Sequence, residues 1–138
     1  MSALDSLIRL HRWQLDERRR DLAALDALEG KLRQERARLD AEEKSEQAIA
    51  AASSEAATAY GAFARHLVER RQRLDQSLAS VAEQIEIARE ALADAHRDVK
   101  RYEIAAANRA LAQRKRLERQ QQRVMDDIGI ETYRRRGG

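Results

Sequence analysis

The sequence has no cysteine and no proline, only five glycines, and five aromatic side chains in 138 residues: Trp13, Tyr60, Phe63, Tyr102 and Tyr133. Without cysteine there is no disulfide, no thiolate zinc site and no cysteine nucleophile. Without proline, nothing removes a backbone donor from the interior of a helix. Leu, Ile, Val and Phe together make 27 residues, under a fifth of the chain. That is too little apolar area for a compact globular core to offset the entropy of ordering the backbone. No stretch approaches the 18 or so consecutive apolar residues of a membrane span. The opening MSALDSLIRLHRW carries charge within five residues and lacks a continuous apolar region, so it does not read as a secretory signal. The expected compartment is the cytoplasm.

What is present is helical. Ala, Leu, Glu, Lys and Arg account for 82 of the 138 residues, above the roughly 50% that marks coiled coils and long helices. The net charge of only +3 argues against a disordered, self-repelling chain. A 4–3 spacing runs through Leu4, Ile8, His11, Leu15, Arg18, Leu22, Leu25, Glu29, Leu32, Arg36 and Leu39. A cleaner series follows: Leu67, Arg71, Leu74, Leu78, Val81, Ile85, Ala88, Leu92, Ala95, Val99, Tyr102 and Ala106, broken only by Arg71. Two such seams predict an all-α antiparallel two-helix coiled coil, a long helical hairpin. One unbroken helix in a parallel dimer is the alternative.

The organisation expected is a single coiled-coil domain over 1–138. Its first helix covers about 3–50, a reversal falls at about 50–61, a second helix covers about 58–128, and a basic tail fills 129–138. The scarcity of breakers between positions 3 and 128 predicts more than about 80% helix. Ser2 with Asp5 fits a capping pattern, and Ser53 or Ser54 is the expected N-cap of the second helix. Gly30 is expected inside a helix. Gly129 after Ile128 predicts a left-handed stop, with Ile130 folding back on Met125. The second helix is the longer, so its end should overhang the start of the first. After Ala106 the seam drifts, and Leu117, Gln121, Val124 and Ile128 resume it with a phase shift, a stutter.

Catalysis needs convergent groups in a cavity, which a two-helix rod does not provide, so no catalytic residue, metal or cofactor is expected. His11, His66 and His96 lie thirty or more positions apart, and His11 reads as a polar defect in the first seam. Acidic and basic residues alternate at helix-surface spacing, as in Asp16-Glu17-Arg18-Arg19-Arg20, and read as solvated faces. Charge is nonetheless uneven: residues 1–96 carry 15 basic and 18 acidic side chains, residues 97–138 carry 12 and 6. Arg109, Arg114, Lys115, Arg116, Arg119 and Arg123 therefore form a candidate basic docking end. Tyr60 and Phe63, with Leu67 one turn on, form a candidate apolar stripe near the reversal. Leu7, Leu10 and Trp13 widen the apolar face of the first seam. Nucleic acid is a weaker fit for the basic third, which lacks interleaved aromatics and any zipper directly after a basic region.

The Leu-rich opening with Leu15-Asp16-Glu17, the Tyr60-x-x-Phe63-x-x-x-Leu67 start of the second helix, Lys100 with Tyr102-Glu103, and the closing Gln122-Arg123-Val124-Met125-Asp126-Asp127 together resemble the FliJ family, coiled-coil stalk proteins of the flagellar type III export apparatus. The short Ala-rich reversal and Asp127, where Glu is usual, depart from the family pattern. The resemblance implies a non-enzymatic stalk similar to that of rotary ATPases, cytoplasmic and at the cytoplasmic face of the inner membrane. Its implied partners are the hexameric export ATPase, the cytoplasmic domain of the export-gate membrane protein, and export chaperones. The basic end would then meet the ATPase. Tyr60, Phe63 and Leu67, at the other end of the rod, would meet the gate. The alternatives are a structural coiled-coil scaffold or homodimer, and a small basic nucleic-acid-binding protein.

Overall fold

The computed structural model describes residues 2–137, of which 97% are helical, with no strand among them. Two helices, α1 (Ala3–Ala50) and α2 (Ser54–Gly137), form an all-α helical hairpin. Each begins where a serine satisfies free backbone donors. The Asp5 N–H donates to Ser2 Oγ at 3.1 Å and the Ser2 N–H donates back to Asp5 Oδ2 at 3.3 Å, a reciprocal capping box. Between the helices, the Ala52 N–H reaches the Ile49 carbonyl at 3.0 Å, tightening the last turn of α1. The Ala56 N–H then donates to Ser53 Oγ at 3.1 Å, which makes Ser53 the N-cap of α2. The reversal is thus only residues 51–53, shorter than the span of about 50–61 read from the sequence, and Tyr60 and Gly61 are already helical. Alanine and serine carry no bulk that would force a wider loop, and Ser53 starts α2 at once.

In the unit formed by Gln14–Ala95, Leu15, Leu39, Leu67, Val81 and Ile85 are buried, and Leu39, 1% exposed, is the most enclosed side chain. Leu22, Leu25, Leu32, Leu74 and Leu78 are half-buried along the same seam, whereas Arg18 lies in solvent. The other two seam arginines, Arg36 and Arg71, make ion pairs between the helices, as does Arg70 with Glu42 at 3.4 Å. Arg36 Nε donates to Asp75 Oδ1 at 2.9 Å and its Nη1 to Asp40 at 3.0 Å. Arg71 pairs with Asp40 at 3.1 Å and with Glu43. Higher positions on α1 meet lower positions on α2, as the antiparallel arrangement requires.

The other unit joins the first thirteen residues to those from His96 onward. Ile8 and Val99 are its buried pair, with Leu4, Tyr102 and Ala106 half-buried. His11 lies on the seam and stacks on Tyr102, ring centroids 4.5 Å apart. Arg12 Nη2 bonds Glu103 Oε1 at 3.2 Å. Lys100, Tyr102 and Glu103, which drew notice as a motif, thus sit where α2 holds the start of α1.

The expected stop at Gly129 does not occur, and the segment read as a basic tail is the end of α2. No described glycine has a positive φ, and a Cβ at Gly129 would meet nothing within 4 Å. Glycine costs about 1 kcal/mol in a helix, but several local interactions favour continuation. Gln122 bonds Asp126 and Glu131 pairs with Arg135, both at 3.1 Å and i,i+4, and Arg134, Arg135 and Arg136 complement the negative end of the dipole.

Because the core is one side chain deep, Leu39→Ala and Ile85→Ala should each cost about 2–4 kcal/mol. Ile87→Ala, at a position 61% exposed, should cost under about 0.5 kcal/mol. Urea unfolding of the three variants checks this, and equal losses at all three positions would contradict the seam.

Candidate functional site

Two surfaces meet the description of partner sites, one in each unit. In the unit of residues 14–95, Tyr60 and Phe63 lie half-buried near the start of α2, ring centroids 6.3 Å apart and tilted by 46°. Leu67 is only 2% exposed. The three residues therefore do not form one exposed stripe: Leu67 is also the first member of the α2 seam, and burial against α1 claims it. What stays partly exposed is the aromatic pair, with Leu67 packed beneath the same helical face.

In the other unit, α2 outlasts its partner. Every described residue from Ala107 to Gly137 is exposed, 31 in all, a helical overhang of about 46 Å at 1.5 Å per residue. Arg109, Arg114, Lys115, Arg116, Arg119 and Arg123 all lie on it. Arg109 is close enough to the first turn of α1 to act on Asp5. Arg109, Arg116 and Arg123 recur every seven residues and share a face with Arg119, while Lys115 lies to its side and Arg114 on the opposite face, in line with Leu117 and Gln121. Leu117, Val124 and Ile128 occupy another face, about a third of a turn away, and each is more than half exposed. Met125, Ile130 and Tyr133 add further exposed apolar surface, which with Gly129 lines a shallow open furrow. The overhang thus presents an apolar track bordered by cations on exposed helix.

One feature is not legible in the sequence alone. The polar layers at Arg36 and Arg71 looked like defects, although each has carboxylates facing it across the seam. The signal was there in Asp40, Glu43 and Asp75, but only the register says which charge meets which. The hydrogen bond to Glu43 further raises the Arg71 pKa, so this cation is fixed. Trp13, expected with Leu7 and Leu10 to widen the apolar face of the first seam, is 58% exposed and contributes little to closing the core. Among the described residues, no group of three or more His, Asp or Glu could hold a metal, and no helix is long and apolar enough to cross a membrane.

The two helices make this an all-α hairpin protein with a two-helix coiled-coil-like fold. The chain belongs to the FliJ family, whose model, described as Flagellar FliJ protein, matches residues 1–138. The family is a component of the flagellar export apparatus. No curated protein and no solved structure matches the chain.

The cap at the base of the overhang is sensitive to pH. Hydrogen bonds from Ser2, with the positive charge of Arg109 adding to them, hold the Asp5 carboxyl below its ordinary value of 3.8. A carboxyl depressed in the folded state stabilises fully above its unfolded pKa and loses that contribution as pH falls through the folded one. The first turn of α1 should therefore fray on acidification below pH 3.8. Amide exchange at Asp5 and Ser6 would show it, and Asp5→Asn should remove the pH dependence of those amides.

Proposed function

We propose that this chain is the non-enzymatic coupling stalk of the flagellar type III export machinery, acting at the cytoplasmic face of the inner membrane. The observation that carries the reading is the overhang: 31 consecutive exposed helical residues, basic on one face and apolar on another, in a member of an export-apparatus family. A ring of ATPase subunits enclosing a channel lined by acidic or carbonyl groups would attract such a helix end, and the apolar track would give the contact its grip. In this role the chain contributes position and charge, and the ATPase performs the hydrolysis. Tyr60 and Phe63 serve as the contact for the cytoplasmic domain of the export gate. Aromatics anchor interfaces at low entropic cost, and Leu67 supports them from the seam. Empty export chaperones are a further cargo of the stalk, and the exposed faces of α2 are the surface for them.

The test separates the two contacts. Exposed charges contribute little singly, so Arg114→Glu, Lys115→Glu and Arg119→Glu should be combined. The triple variant should keep its helicity and lose at least about tenfold in ATPase stimulation at low salt, equivalent to about 1.4 kcal/mol of coupling. Tyr60→Ser with Phe63→Ala should lose gate binding while keeping ATPase stimulation. Leu67→Ala, by contrast, should lower stability because its side chain is core. Undiminished stimulation by the triple variant at low salt would remove the basis of the ATPase assignment.

A further inference from the structure

The apolar track of the overhang has the spacing of a coiled-coil seam, and its polar positions say what kind of helix fits it. Ala106 ends the half-buried run on α2, and Leu117 follows eleven residues later, the spacing of an inserted stutter. From there a strict 4–3 pattern runs through Leu117, Gln121, Val124, Ile128 and Glu131, and extends back to Arg114. Its apolar members are all more than half exposed. A lipid surface is a poor occupant, because immersing this face would also bury Arg114, Gln121 and Glu131 and bring the flanking Glu118 and Asp127 towards anionic headgroups. A parallel copy is also poor: it would set Arg114 against Arg114 and Glu131 against Glu131 within the seam.

We propose that the overhang pairs with the overhang of a second copy of this chain in antiparallel orientation, through the seam from Arg114 to Glu131. With Gln121 facing Val124 of the partner subunit, Leu117 meets Ile128 of the partner subunit and Arg114 meets Glu131 of the partner subunit. Each layer is repeated by symmetry. Both polar ends of the seam are then matched in charge. Arg109, Arg116, Arg119 and Arg123 point outward from the pair, so the basic stripes of the two copies do not face each other. Six layers make a short coiled coil, so the association is weak and exchangeable. It covers the apolar track of the free chain until another partner claims it. This inference stands apart from the coupling role, since it concerns the free chain alone.

The experiment is sedimentation equilibrium of the full chain across about 5–500 µM, since self-association follows mass action. The mass should rise from one chain towards two. Leu117→Asp with Ile128→Asp should hold it at one chain with unchanged helicity, as both positions are exposed in the monomer. Arg114→Glu should weaken association at least about fivefold, and Arg114→Glu with Glu131→Arg should restore it. Because the chain has no cysteine, orientation can be read by oxidation. Leu117→Cys mixed with Ile128→Cys should cross-link, and neither variant should do so alone. A single-chain mass at every concentration would overturn the proposal, with or without binding to phosphatidylglycerol vesicles. So would a dimer that survives the double Asp variant, or cross-links of Leu117→Cys to itself.

Discussion

The two strands of the seam are unequal: α1 has 48 residues and α2 has 84. A seam only one side chain deep stabilises a helix where a second helix lies against it, because most helical stability in proteins comes from tertiary packing. Among the described residues, the seven buried side chains all belong to paired stretches. Beyond Ala106 the same helix continues with nothing covering it. Its continuity there depends on helix-favouring Arg, Gln and Leu, i,i+4 pairs and a basic last turn, and its apolar track is left free. The paired stretches are frame, and the unpaired one is the surface that the proposed coupling role uses.

Polar groups inside the seam serve the frame in a second way. Arg36 and Arg71 occupy positions that an apolar residue would fill with more burial. Such ion pairs are modest contributors to stability, since desolvation offsets much of the attraction. Their stronger effect is on alignment: sliding one helix past the other by a turn would part Arg36 from Asp75 and Arg71 from Asp40 and Glu43. Arg71 pays a visible cost, as its Nε is buried without a hydrogen-bond partner. In the other unit the His11–Tyr102 stack and the Arg12–Glu103 bond act similarly where α1 begins.

Much of the fold was legible in the sequence because helical periodicity is a local signal. Of the eleven positions in the first seam only Arg18 is fully exposed, and all twelve in the second are buried or half-buried. What was not legible depends on contacts between distant residues. Nothing local says that Arg71 faces Glu43, or that Leu67 faces α1 and leaves Tyr60 and Phe63 to the surface. Gly129 misled for a related reason: glycine permits a left-handed stop but does not impose one, and the flanking pairs favour helix. The basic overhang was visible as a charge asymmetry, while its bareness followed only from where α1 starts.

Bareness also sets the dynamics. Helix without tertiary cover opens at low free energy, and seam helix opens near the global value. A partner that grips the overhang would therefore change its protection more than that of any other segment. Hydrogen exchange of the full chain, free and mixed with the export ATPase, is the most direct test of this division of labour. The account predicts strong protection gained between residues 107 and 137, with amides between 67 and 95 unchanged. Protection gained along 14–95 while 107–137 still exchanges freely would contradict it.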